Sequence, residues 1–206
     1  MNNSVELIGH YGCDLTHACS AWTSTSRELT PEKIERVPAL LKMLATAGHH
    51  TPFEKSVLHF LIRVDTATHI HFLKHRIGVS INGESARYKE LQEPEGLLPE
   101  DWPAEWRAAL LRHYQDGASL YRRAVRDLEP SLGRKRAKES ARFFLPYNNV
   151  LTLDVSFNWR SFHHFLGLRK KVDAQLEIRK IAEEMLEQVR LIEGAPFRHT
   201  ISAFGY

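Results

Sequence analysis

The chain has 206 residues, a formal net charge of +3, and hydrophobic and charged fractions of 43% and 26%. That is enough for one globular domain with a real core. The small net charge argues against a duplex-DNA binder held by bulk charge, and no apolar run reaches the ~18 residues of a membrane span. MNNSVELIGH lacks the basic-then-apolar pattern of a signal peptide, so a cytoplasmic protein is expected. Cys13 and Cys19 are expected to be free thiols in a reducing compartment.

In chain order, Val5 to His10 reads as a short strand, and Ala18 to Ser26 as a short helix or loop. Thr30-Pro31-Glu32 starts a helix, with Thr30 as N-cap and Pro31 in the first turn. That helix runs to about Thr46, with a kink or split at Pro38. Phe53 to Asp65 is rich in β-branched and aromatic residues and is expected to be a strand. Ala67 to Arg76 reads as a helix on the spacing of Ile70, Leu73 and Ile77, which would set His71, Lys74 and His75 along one side. Gly78 and then Asn82-Gly83 read as turns.

An irregular Pro- and Glu-rich linker follows Tyr88. Ala104 to Leu128 is a long amphipathic helix, with Gly117 weakening its middle by ~1 kcal/mol relative to Ala. Arg134 to Leu145 reads as a basic helix stopped by Pro146, Asn149 to Trp159 as a strand, and Arg160 to Leu168 and Ala174 to Val189 as two helices. The order is mixed and not a regular βαβ alternation. The expected class is α+β, a mixed or antiparallel sheet packed with helices, in a single domain over 1–206.

Four segments concentrate candidate chemistry: Gly48 to Glu54, His69 to Tyr88, Ala141-Arg142 and Asn158 to Arg169. The second crowds histidine, Lys74, Arg76, Glu84, Ser85 and Arg87 around glycine turns. Hydroxyl, backbone N–H and guanidinium groups there would suit an anion. A solvated helix end followed by a polar loop is the plainer reading. Arg142 stands among Phe143, Phe144 and Leu145, where an arginine against a core needs an anionic partner. No Walker loop, GxGxxG or GxSxG is present. His71 and His75 have zinc-like i, i+4 spacing, but Phe-Leu-Lys between them supplies no general base and adds a cation, so no metal is expected. A non-catalytic nucleotide- or RNA-binding module is the alternative class, resting on the basic, aromatic-interleaved Arg134 to Phe144.

Taken in order, these segments resemble the flavin-dependent thymidylate synthase family. The family's Arg-His-Arg, seven residues, Ser pattern stands here as Lys74-His75-Arg76, eight residues, then Ser85-Ala86-Arg87-Tyr88. Gly48-His49-His50-Thr51-Pro52-Phe53-Glu54, Ala141-Arg142-Phe143-Phe144-Leu145-Pro146, Asn158-Trp159-Arg160-Ser161, Phe165-Leu166-Gly167-Leu168-Arg169 and Ala174-Gln175-Leu176-Glu177-Ile178 match its further motifs. The resemblance implies an FAD-dependent methyltransferase that makes dTMP from dUMP. Methylenetetrahydrofolate is the carbon donor, NADPH reduces the flavin, and the enzyme is a homotetramer with shared active sites. It acts on a small-molecule nucleotide and needs no membrane or nucleic acid.

Carried over residue by residue, the resemblance makes Arg169 the catalytic residue, facing the uracil. Ser85, Ala86, Arg87 and Arg142 would hold the nucleotide phosphate, with His71 near the nucleotide. Thr51, Lys74, His75, Arg76, Asn158, Arg160 and His164 would bind FAD. Glu84 joins that set at the point where the extra residue shifts the alignment, and His49 lies toward the folate. Lysine for the first arginine keeps the charge but loses the planar fork. The longer loop leaves UMP open as an acceptor beside dUMP.

Overall fold

The computed structural model describes residues 3–85, 90–91 and 95–206. Its strands are β1 (Ser4–Tyr11), β2 (Val57–Asp65), β3 (Val79–Gly83) and β4 (Val150–Phe157), paired in the order β1-β2-β4-β3. The β3–β4 register is antiparallel: Glu84 N–H donates to Thr152 C=O, and Asn158 N–H to Gly78 C=O, so one strand rises in number as the other falls. The helices are α1 (Asp14–Trp22), α2 (Pro31–Glu35), α3 (Val37–Thr46), α4 (Thr66–Phe72), α5 (Ala104–Leu132), α6 (Arg134–Ala141), α7 (Trp159–Arg169), α8 (Leu176–Arg190) and α9 (Arg198–Ala203). The class is α+β, as the sequence order implied.

Backbone packing divides the chain into two compact units, each discontinuous in sequence. One comprises Met1–Ser4, Ile62–Leu73 and Asn82–Leu153; the other comprises Val5–Leu61, Lys74–Ile81 and Asp154–Tyr206. In the first unit, Asp65 caps α4: its carboxylate accepts from Thr68 N–H at 2.9 Å and from the Thr68 hydroxyl at 2.6 Å. Tyr121, Val125 and Ala141 form a small core with Leu91, Ala124 and Leu145 packed on it. Gly117 in mid-α5 has a packing reason. A Cβ there would sit 2.5 Å from the Phe144 carbonyl, so the helix passes that turn only without a side chain.

The second unit carries most of the aromatic core. On α8, Ile178, Ile181, Ala182, Met185, Leu186 and Val189 are buried at helical spacing. Burying each large member contributes roughly 1.5–3 kcal/mol. Strand β2 alternates as a half-buried strand must, with Leu58 and Phe60 inward and Val57 and His59 outward in this unit. Trp159 stacks on Phe197 with ring centroids 5.6 Å apart, and Phe60 stacks on Phe162.

Several expected boundaries move. The Thr51–Lys55 stretch is a 3-10 turn, because Pro52 supplies no N–H for a ladder, and β2 begins only at Val57. Helix α4 ends at Phe72, so Lys74, His75 and Arg76 lie beyond it and not on its face. Asn82-Gly83, expected as a turn, instead ends a strand, Val79–Gly83. Helix α6 stops at Ala141 and a 3-10 turn, Arg142–Phe144, follows. That turn leaves Phe143 79% and Phe144 45% exposed. Arg142 is itself exposed, so the argument that it must be neutralised against a core does not hold.

Candidate active site

The site in the second unit is built on α7. Asn158 is the N-cap: its Oδ1 accepts from Ser161 N–H at 2.9 Å. Ser161 Oγ donates to Gly78 C=O at 2.7 Å, and Asn158 N–H donates to the same carbonyl at 3.2 Å. Gly78 has φ +67, and an added Cβ would lie 2.4 Å from Asn158 Nδ2. Only glycine lets the end of the Lys-His-Arg segment close on the start of α7 in this way.

Around this clamp lies a cavity of about 630 Å³, lined by Gly78, Asn158, Arg160, His50, His163 and His164, with Ile77 and Leu168 as apolar walls. Its volume is that of a small-molecule site. Arg160 is held at the rim by Glu54, Nη1 to Oε1 at 2.5 Å; both groups are partly exposed, so the pair orients the guanidinium more than it stabilises the fold. Tyr206 Oη donates to His163 C=O at 3.2 Å and lies 2.9 Å from His163 Nδ1. With the phenol proton on the carbonyl, Nδ1–H is the donor to Tyr206 and Nε2 carries the lone pair. Burial, then the like charges of His50 and His164, lowers the His163 pKa and keeps the ring neutral at neutral pH. Burial pushes Tyr206 up to about 12.

At the other end of α7, Arg169 Nε donates to His75 Nε2 at 3.0 Å. His75 is 7% exposed and lies edge-on to Phe165, with ring centroids 5.0 Å apart, and to His164 at 6.0 Å. Desolvation lowers the Arg169 pKa from its ordinary 12.5. Because Arg has no acceptor, Nε2 of His75 must be the unprotonated nitrogen.

Of the sequence candidates, this unit thus brings Asn158, Arg160 and His164 to the cavity and joins His75 to Arg169. Lys74 and Arg76 flank the buried His75 and are exposed. His49 and Thr51 are exposed at the head of the 3-10 turn and do not line the cavity. In the first unit, His71 is half-buried on α4, and Glu84 pairs with β4 twice: its N–H donates to Thr152 C=O and its Oε2 accepts from Thr152 N–H at 3.2 Å. Ser85 is half-buried, and Arg142 opens the exposed 3-10 turn. Ala86 and Arg87 lie outside the described residues. Sequence reasoning did not name His50, Glu54, Ser161 or His163 as site residues, although all four stand inside the Gly48 to Glu54 and Asn158 to Arg169 segments. Nothing local to Tyr206 signals its bond to His163.

The family model of the thymidylate synthase complementing protein matches residues 6–194. A flavin-dependent thymidylate synthase from Pseudothermotoga lettingae is 31% identical over 86% of this chain and 80% of its own length. One from Streptomyces avermitilis is 29% identical over 88% and 84%. Among solved structures, a UMP/dUMP methylase, PolB, from Streptomyces cacaoi bound with 5-Br dUMP superposes with a TM-score of 0.79 at 27% identity, covering 98% of this chain and 94% of that one. An α+β fold with a guanidinium–imidazole pair and a ligand-sized cavity along one helix is therefore that of an enzyme of the flavin-dependent thymidylate synthase type, a methyltransferase working with a flavin. The chain belongs to the thymidylate synthase complementing protein family.

Proposed function

We propose that this enzyme methylates C5 of a uridine monophosphate, converting dUMP to dTMP, with UMP as a second acceptor. Methylenetetrahydrofolate is the carbon donor and NADPH the reductant, and the enzyme works as a homotetramer whose active sites draw on several copies. The observation that supports this most is the Arg169–His75 pair: a guanidinium partly withdrawn from water and held by a buried imidazole.

The cavity residues fit a flavin. Ile77 and Leu168 offer apolar walls to a planar ring system, and the polar groups of Asn158, Arg160 and His164 reach its rim. Asn158 keeps Nδ2 available as a donor, since its Oδ1 is spent on the cap. In this reading Asn158, Arg160 and His164 hold the ring side of FAD, while Thr51, Lys74 and Arg76 contribute polar and cationic groups toward its phosphates. His75 and Glu84 belong to the flavin set in the family pattern. FAD, when bound, supplies the hydride that completes the methyl group.

On the substrate side, Ser85, Ala86, Arg87 and Arg142 take the nucleotide phosphate, His71 lies near the nucleotide, and His49 lies toward the folate. Arg169 stabilises negative charge on the pyrimidine carbonyl as C5 attacks the methylene carbon; a preorganised donor at such an oxygen accounts for ~10²–10³ in rate. Over the whole reaction the one-carbon unit and two reducing equivalents end in the C5 methyl group, and the C5 proton leaves. The test is product analysis with dUMP or UMP, methylenetetrahydrofolate and NADPH. Formation of dTMP that needs both cosubstrates is expected; a flavin-loaded protein that methylates neither nucleotide would overturn the reading.

A further inference from the structure

We infer that His75 is a positioning residue for Arg169, and that the acceptor lone pair on its Nε2 is the feature that sets the orientation of the guanidinium. This rests on the reading of Arg169 as the group that meets the pyrimidine. The family pattern puts His75 with the flavin; the geometry gives its Nε2 a different task.

Three observations converge. Nε2 of His75 lies 3.0 Å from Arg169 Nε, a hydrogen bond of ordinary length whose direction is unambiguous, because guanidinium only donates. The imidazole is nine-tenths buried and wedged edge-on between the rings of Phe165 and His164, so it is a fixed acceptor and not a swinging one. Phe165 and His164 belong to the same helix as Arg169, so ring and guanidinium share one rigid support.

The choice of nitrogen matters. Nε is the guanidinium atom nearest the stem. A bond there fixes rotation about the Cδ–Nε axis, and so sets the plane in which the distal N–H groups lie. A free arginine at a helix end would spread that fork over several rotamers, and holding it in one plane places the donors before charge develops. The contact also sets the tautomer: the Nδ1–H, Nε2-lone-pair form satisfies Arg169, whereas a protonated ring would face a cation with a donor.

Two substitutions separate this role from packing and from flavin binding. His75→Phe keeps an aromatic ring between Phe165 and His164 but has no acceptor. His75→Gln has no ring but carries a carbonyl oxygen close to the position of Nε2. The first readout does not depend on catalysis: the Nε–H resonance of Arg169 in ¹⁵N-labelled protein, assigned by its loss in Arg169→Lys. In His75→Phe that proton is expected to exchange rapidly with solvent, and kcat to fall about 100-fold, the size of effect that a misplacement near 1 Å produces. The KM for dUMP and the flavin content should stay within about twofold of wild type, and His75→Gln should regain slow exchange and most of kcat.

If His75→Phe does not fold, His75→Asn, whose carbonyl falls short of Nε2, takes its place and is expected to behave the same way. Wild-type kcat in His75→Phe, or equal loss of flavin from both His75→Phe and His75→Gln, would overturn the inference; the second result would make His75 a flavin ligand. An Nε–H resonance that responds as described in a wild-type protein forming no dTMP would retire the proposed reaction while leaving the pairing intact.

Discussion

Two buried histidines in the same unit are held in opposite ways. His17 on α1 has both ring nitrogens on hydroxyl groups: Nδ1 is 3.0 Å from Thr200 Oγ1, and Nε2 is 2.9 Å from Ser56 Oγ. Thr200 gives its single proton to Asp14 Oδ1 at 2.6 Å, so Nδ1–H of His17 donates to Thr200 and Nε2 accepts from Ser56. The chain of bonds runs from Ser56 through a neutral imidazole and Thr200 to the Asp14 carboxylate, and burial pushes the His17 pKa down to about 4. His75 is buried as well, but its acceptor nitrogen faces a guanidinium. A closed hydroxyl network holds elements together and leaves nothing for chemistry, whereas an imidazole that accepts from a cation orients a charge. On this reading the two histidines differ in their partners and not in their degree of burial.

The comparison can be broken from its functional side first, with the largest expected effect. Arg169→Ala should lower turnover ~10²–10³-fold while the protein stays folded and flavin-loaded, because the donor acts in the transition state. Steady-state kinetics beside a flavin absorption spectrum check this, and normal turnover would sever Arg169 from catalysis.

On the structural side, His17→Ala should cost about 3 kcal/mol at neutral pH, since it opens a cavity and leaves the buried Ser56 hydroxyl without its acceptor. The wild-type protein should also show an acid arm that this variant lacks. The unfolded chain binds the His17 proton near its ordinary 6.5 and the folded chain only near 4. As pH falls through that window the unfolded state takes the proton first, and about 3 kcal/mol of stability is lost, with no further loss from this group below it. Urea titrations of both proteins across the window measure the difference; parallel pH profiles would contradict it.

The clamp on α7 should respond less. Gly78→Ala meets Asn158 Nδ2 and imposes a positive φ on a residue with a Cβ, which costs on the order of 1–3 kcal/mol. The expected result is a lower melting temperature together with weaker flavin retention, because the same contact walls the cavity. A fall in melting temperature with flavin affinity unchanged would separate the clamp from the site.

The smallest effect is expected at the rim. Glu54→Gln removes a partly exposed partner of Arg160, worth less than about 1 kcal/mol of stability. Its thermal unfolding should be close to that of wild type, and any consequence should appear in flavin titration. A large fall in stability would mean that the rim pair belongs with the closed network of His17.

Much of the scaffold was legible because it obeys local periodicity. The α8 stripe, the alternation of β2 and the Thr30 cap follow from residue spacing alone. What escaped is what distant partners decide. Helix α9 has no apolar period to announce it; its first N–H groups are capped by Asp14, with His199 N–H and Thr200 N–H each donating at 2.8 Å across more than 180 residues. Asn82-Gly83 carries a turn signature, yet it closes β3 because the ladder to β4 continues through Glu84. Asn158, a flavin ligand in the family pattern, is a helix cap through Oδ1, which leaves Nδ2 for the proposed role. For the site, motif spacing singled out Arg169 and His75 separately. Their contact spans 94 residues and is a property of the fold.

The central claim is C5 methylation by a chain that carries its charge-stabilising guanidinium at Arg169. The most direct measurement is tritium release: reduced, flavin-loaded enzyme mixed without oxygen with methylenetetrahydrofolate and dUMP bearing tritium at C5. The account predicts tritium in water in step with dTMP formed, and a release ~10²–10³ slower in Arg169→Ala. A folded, flavin-loaded wild-type protein that leaves the tritium on C5 would contradict it.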